Sequence, residues 1–192
     1  NANIIPKETD SVAVLDFDKS FLIEHEIDPV KELDPINVKQ ELIDDEGFDV
    51  YDFGQNVAGY ISLELSGNKD SKILIEHSEV LGLSSKNIQE KKCNHFENAN
   101  FRSAAAKIEY TLSGSDIEKY KPHFTFMGFR YVRIKVLSGS VTVKKITSIP
   151  ISSLHDQKLQ FQSSNQNINK LIENTSWSQK ANFIEVPTDC PQ

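Results

Sequence analysis

Tyr60-Ile61-Ser62-Leu63-Glu64-Leu65-Ser66 alternates without interruption: Ile61, Leu63 and Leu65 fall on one side of an extended chain, Ser62, Glu64 and Ser66 on the other. A period of two marks a half-buried antiparallel strand, because successive side chains of a pleated backbone point to opposite faces. The same pattern returns in Tyr131–Val136, where Val132, Ile134 and Val136 oppose Tyr131, Arg133 and Lys135, and it continues through Val141 and Val143. Lys72–Val80 reads as a strand with mixed faces, Ile73, Ile75, His77 and Glu79 against Leu74, Glu76, Ser78 and Val80. Turn signals separate these runs: Ser66-Gly67-Asn68-Lys69-Asp70, Leu81-Gly82, Ser113-Gly114-Ser115-Asp116 and Ser138-Gly139-Ser140. Short strands so punctuated predict a mainly β fold, an antiparallel β-sandwich.

Working outward, further strands are expected at Val12–Phe17 and Phe21–Ile27, after which Pro29 and Pro35 break regularity. Residues 84–104 are polar with few periodic apolar positions and read as a long loop. The densest aromatic stretch, His123 to Tyr131, puts Phe124 and Phe126 on one strand face as core rather than as sugar-stacking rings. After Leu154 the period changes. Ser163 and Gln166 have capping-box spacing, and Ile168, Leu171 and Ile172 form one apolar stripe. A helix is expected from about Asn165 to Lys180, with regular structure ending at Pro187. Such a helix either docks on the sandwich or opens a further domain, and the second reading is preferred. Residues 165–192 are then expected to be poorly ordered or held by a neighbouring copy.

Charge is uneven. Residues 1–50 carry 14 acids and 4 bases, so the net −7 of the chain originates in this segment. Basic residues cluster no further than short pairs such as Lys91-Lys92 and Lys144-Lys145, which argues against a nucleic-acid partner. No apolar run reaches the roughly 18–20 residues that span a bilayer, so no membrane partner is expected. No leader pattern is visible, and a start at Asn1-Ala2-Asn3 suggests that the native N-terminus lies upstream. Cys93 and Cys190 have no ligand spacing and read as free thiols, a mild argument for a reducing, cytoplasmic compartment.

Chemistry is sparse. There is no Gly-x-Ser-x-Gly elbow, His-Glu-x-x-His pair or phosphate-binding Gly-rich loop. His25, His77, His95, His123 and His155 are scattered, so neither a metal nor a cofactor is expected. Glu76 and Glu79 point to opposite faces of a strand and cannot flank one bond, and Asp44-Asp45-Glu46 beside Gly47 reads as a solvated turn.

Three pieces in order carry a resemblance. They are Tyr51-Asp52-Phe53-Gly54-Gln55-Asn56-Val57-Ala58-Gly59-Tyr60 with Glu76-His77-Ser78-Glu79-Val80-Leu81; Tyr120-Lys121-Pro122-His123-Phe124-Thr125-Phe126-Met127-Gly128-Phe129-Arg130-Tyr131-Val132; and Phe161 to Asn165, Asn169, Trp177-Ser178, Asn182 and Pro187-Thr188-Asp189-Cys190-Pro191-Gln192. From about Phe48 to Gln192 the chain resembles bacterial α-L-rhamnosidases of glycoside hydrolase family 78. The resemblance implies a jelly-roll-like sandwich followed by an (α/α)6 barrel, which the single helix would begin. It divides the chain into N-terminal strands and linker (1–47), sandwich (48–154) and barrel start (155–192). It implies inverting hydrolysis of terminal α-L-rhamnose, with acid and base roughly 6.5–9.5 Å apart. Both would lie beyond Gln192, leaving no catalytic residue here and an inactive fragment. Asp189 corresponds to the family's aspartate that holds rhamnose hydroxyls. Asn56, Gln55, Glu79 and Arg130 are expected to fix loops or the barrel interface, with Trp177 buried against a neighbouring helix and Gly54, Gly59 and Gly128 serving turns or close approaches. The expected partner is a rhamnose-containing glycoside, with self-association through the surface a barrel would cover. The competing readings are a stand-alone carbohydrate-binding module, which requires exposed co-planar aromatics, and a protein-interaction domain.

Overall fold

The structure is a computed structural model and describes residues 13–82, 95–156 and 159–188. Its frame is one strand, β4 (Asp49–Gly67), long enough to serve two neighbourhoods. Its first part pairs with β3 (Gln40–Ile43) and β10 (Met127–Ser138), and its second with β9 (Glu118–Tyr120) and β11 (Val141–Ser152), all antiparallel. β10 continues to β5 (Lys72–Ser78), which carries β8 (Lys107–Thr111) at its outer edge. β1 (Lys31–Glu32) and β2 (Ile36–Asn37) line β11. The expected jelly-roll-like sandwich is thus one curled, nine-stranded antiparallel sheet whose inner face closes on itself. A small pair, β6 (Val80–Gly82) and β7 (His95–Glu97), and a 3-10 turn at Ala99–Phe101 complete the excursion between β5 and β8.

The alternation that predicted the strands also fills the core. Ile61, Leu63 and Leu65 of β4 are fully buried with Ile73, Ile75, Leu112, Phe129 and Val132. Each such side chain contributes about 1.5–3 kcal/mol by leaving water. The Phe53 and Phe129 rings meet edge to face at 5.9 Å. Gly59 is required where β4 and β11 come closest, because a Cβ there would lie 2.2 Å from the Ile149 carbonyl oxygen.

Several expectations are corrected. Residues 13–29 contain no strand, and Val14, Leu15 and Ile23 are exposed; β1 and β2 already occupy the edge of β11, leaving this segment no ladder to join. Val12 lies outside the described residues. Lys72–Val80 breaks at Glu79 into β5 and β6. Of the expected 84–104 loop, residues 95–101 form β7 and the 3-10 turn, while 83–94 lie outside the described residues, as do Cys93 and Cys190. Phe124 is on no strand and outside the core, and Phe126 is half-buried; the buried rings are Tyr51, Phe53, Phe96, Phe101 and Phe129.

Helix α1 (Gln166–Asn182) forms as its period predicts, but its start differs from a Ser163–Gln166 box. Asn165 is the N-cap and its side chain accepts from the Asn167 amide at 2.9 Å. Asn169 grips the preceding turn, accepting from the Ser163 amide and donating to its carbonyl, both at 2.8 Å. The helix packs on its own sheet against β4 and β11, with Trp177 against the main core, so the expectation of a segment without its own packing fails for 166–182. Phe183 ties the helix end to β11, its carbonyl accepting from the Ser153 amide at 2.9 Å. A short hairpin, β12 (Phe183–Ile184) and β13 (Val186–Pro187), follows.

Candidate functional site

The motif Tyr51–Tyr60 folds as an interrupted strand. Asp52 faces Tyr131 and Val57 faces Phe129, so residues 53–56 of β4 are thrown out opposite the single residue Arg130 of β10. Gly54 turns this bulge at φ +77°, a conformation that costs side-chain-bearing residues more than glycine. Phe53 points inward and pins the bulge to the core.

Polar contacts brace both limbs. On one, the Arg130 guanidinium grips Asp52 with two parallel hydrogen bonds of 2.8 Å, and the Gly54 amide donates to the same carboxylate at 2.6 Å. Burial opposes ionisation of Asp52, but the Arg130 and Gly54 hydrogen bonds outweigh it and hold the carboxyl below its ordinary value. The Arg130 guanidinium also lies 4.9 Å from the Tyr131 ring centre. On the other limb, the Asn56 amide donates to Glu79 at 3.0 Å, and Asn100 donates to the second Glu79 oxygen, also at 3.0 Å. Glu79 sits at the break between β5 and β6, so one carboxylate joins the bulge to the 3-10 turn.

The structure therefore brings Asn56, Glu79 and Arg130 to one bulge. It places Trp177 apart, between α1 and the sheet, with the Lys180 ammonium 4.9 Å from its ring centre. Within this chain the sheet core is its neighbour, and the ring stays partly exposed. Asp189 lies outside the described residues; Thr188 just before it is tied back, its amide and hydroxyl donating to the Asn182 carbonyl at 2.8 and 3.0 Å.

A second polar cluster escaped the sequence reading. Asp44-Asp45-Glu46 is no solvated turn: Asp44 is buried and meets Arg133 at 2.7 Å, and Asp45 meets the His95 ring at 3.2 Å. Arg133 is itself buried, pairs with Glu76 at 2.8 Å, and lies against the Phe96 ring at 4.4 Å. Burial works against the Glu76 carboxylate, yet the Arg133 charge leads the interactions that keep it below its ordinary value. Alternation assigned Arg133 to a face but could not show that Phe48, Phe96 and three acids cover that face.

A shallow groove of about 770 Å³ runs along Glu32, Ser62, Tyr120, Lys121 and His123. Glu32 is its hub, accepting from Lys121 and from the Tyr60 hydroxyl, both at 2.6 Å. Lys121 first and Tyr60 second hold Glu32 below its ordinary value, while burial and Glu32 push Tyr60 up to about 12. Among the described residues no three His, Cys, Asp or Glu side chains make a metal-binding group.

Glu76, Glu79 and Asp52 are each engaged by basic or amide groups in separate environments, so no two form an acid/base pair across a shared cleft. The arrangement suits bracing, not bond cleavage.

Comparison with known proteins gives a consistent picture. Residues 43–152 match the bacterial alpha-L-rhamnosidase concanavalin-like domain, and residues 156–192 match the six-hairpin glycosidase domain of the same enzymes. An alpha-L-rhamnosidase of Streptomyces avermitilis is 36% identical over 145 residues, covering 76% of this chain and 13% of that protein. One from Alteromonas sp. is 33% identical over 167 residues, covering 85% and 16%. The chain thus spans a small part of these curated relatives. Among solved structures, the S. avermitilis alpha-L-rhamnosidase complexed with L-rhamnose superimposes with a TM-score of 0.78 at 32% identity, over 88% of this chain and 16% of that one. The alpha-L-rhamnosidase from Dictyoglumus thermophilum gives 0.75 at 30% identity, over 86% and 18%. With sequence, fold and domain order in agreement, this chain belongs to the bacterial α-L-rhamnosidase family and carries its concanavalin-like domain.

Proposed function

We propose that this chain is the supporting β-sandwich of an inverting α-L-rhamnosidase, together with the opening of its catalytic (α/α)6 barrel. The parent enzyme removes terminal α-L-rhamnose from glycosides or polysaccharides. One observation carries this reading: the two family matches follow each other within four residues, and helix α1 in the second is seated on the sheet formed by the first. The chain divides into N-terminal strands and linker (1–47), the sandwich (48–154) and the barrel start (155–192).

The chemistry belongs downstream. The Asp52 carboxylate of the bulge is held ionised by Arg130, which suits a structural anchor and not a general acid that must carry a proton at neutral pH. Asn56, Glu79 and Arg130 rigidify the bulge, Trp177 fixes the first barrel helix, and Asp189 holds rhamnose hydroxyls once the barrel surrounds it. A carboxylate suits that task because it accepts from adjacent hydroxyls. The apolar side chains that α1 leaves uncovered, Ile168 and Leu171, supply a surface for self-association of the isolated chain.

Inversion is tested on the gene product extended through its barrel. Proton NMR of an aryl α-L-rhamnoside digest should show β-L-rhamnose first. The α anomer as first product would mean retention and would sink the inverting mechanism.

A further inference from the structure

β9 and β10 run in the same direction along one side of β4, Tyr120 opposite Leu63 and Met127 opposite Gly59. They are one strand interrupted. Residues 121–126 cover a gap opposite only Tyr60, Ile61 and Ser62, so the chain has slack to throw outward. The base of this loop is fixed. Pro122 is buried, and Lys121 is held by Glu32, itself held by Tyr60. The loop displays Phe124 as a fully exposed residue with its backbone at φ +59°. A bulky residue in the left-handed region is a true outlier, and a ring wholly in water gains nothing from burial. Both features cost stability in this chain. Strain that local packing does not repay points to a partner that does.

We propose that Phe124 is an anchor that inserts into an apolar recess of the six-hairpin domain continuing from α1, locking that domain to the sandwich. This rests on the reading that the sequence beyond Gln192 completes that domain. The placement supports it. The loop lies level with Thr147, Ser148 and Ile149 of β11 across β4, just before β11 ends at Ser152, which with the following Ser153 holds Phe183 at the end of α1. The matched relatives are several times longer than this chain, so a domain of the required size is available. Ile168 and Leu171 of α1 also await cover. A sugar ring is the poorer occupant, because the neighbouring ring of His123 stands at 82° to Phe124 and builds no flat platform.

The test is a change of sign. In the 192-residue chain, Phe124→Gly relieves the strained backbone and removes only an edge contact with the exposed His123 ring, so the thermal midpoint should rise by about 2–4 °C. In the chain extended through the six-hairpin domain, the same substitution should lower the midpoint, with Phe124→Leu restoring most of the loss. A rise in both forms overturns the proposal. If the short wild-type chain then binds L-rhamnose and the glycine variant does not, the ring is a sugar contact instead. A fall in both forms also overturns it, assigning Phe124 to packing within this chain. Should the sign change appear in a long form without rhamnosidase activity, the anchor stands and the functional reading fails.

Discussion

Asn56 and Glu79, 23 residues apart, are joined by a 3.0 Å hydrogen bond that closes the β4 bulge onto the β5–β6 break. Because Asn100 takes the other Glu79 oxygen, the carboxylate links three segments that share no ladder. Glu79→Ala should therefore cost about 1 kcal/mol and loosen the 3-10 turn, speeding tryptic cleavage after the exposed Arg102. Glu79→Gln, which keeps an acceptor for one amide, should lie between. Unchanged cleavage in Glu79→Ala would show that the link restrains nothing.

Arg130 holds Asp52 through a planar fork that lysine cannot reproduce. Arg130→Lys should cost about 1–2 kcal/mol, and Arg130→Met more, since Asp52 then keeps its burial without its counter-ion. The folded-state pKa of Asp52 lies below its unfolded value, so its contribution is present above that value and lost as pH falls through the folded one. The gap between wild type and Arg130→Met should accordingly narrow in urea titrations below about pH 4. A gap independent of pH would assign the effect to packing alone.

His77 follows the same linkage, with burial in place of an ion pair as its cause. Its Nδ1 donates to the Ala106 carbonyl at 3.0 Å, its Nε2 is buried with no hydrogen-bond partner among the described residues, and its ring meets Phe129 at 5.0 Å. Burial pulls its pKa down to about 4. The unfolded imidazole protonates near 6.5, so between these values the unfolded chain binds more protons and stability falls as the pH is lowered. The whole span is on the order of 3 kcal/mol. Since the Ala106 carbonyl also accepts from the His77 amide at 3.1 Å, His77→Phe leaves it satisfied. That variant should flatten the stability profile between pH 6.5 and 4, and a profile parallel to wild type would contradict the assignment.

The sheet was legible where burial follows a strict period. Ile61, Leu63, Leu65, Val132 and Ile134 were placed by alternation alone and are the core. What stayed hidden depends on partners distant in sequence. Phe124 obeys the strand period on paper, but the slack between Tyr120 and Met127 ejects it. Asp44 resembles any acidic turn residue until Arg133, 89 positions on, comes to it. The site was half legible: the motif named Asn56, Glu79 and Arg130, but their common bulge follows from a register shift between β4 and β10 that no local pattern encodes.

On the proposed reading, the sandwich supports chemistry it does not perform. The most direct measurement is hydrolysis of an aryl α-L-rhamnoside by this chain beside the same gene product extended through its barrel, at equal molar concentration. The account predicts turnover by the long form and none above background by the 192-residue chain. Turnover by the short chain, or a folded long form inert on every α-L-rhamnoside tried, would contradict it.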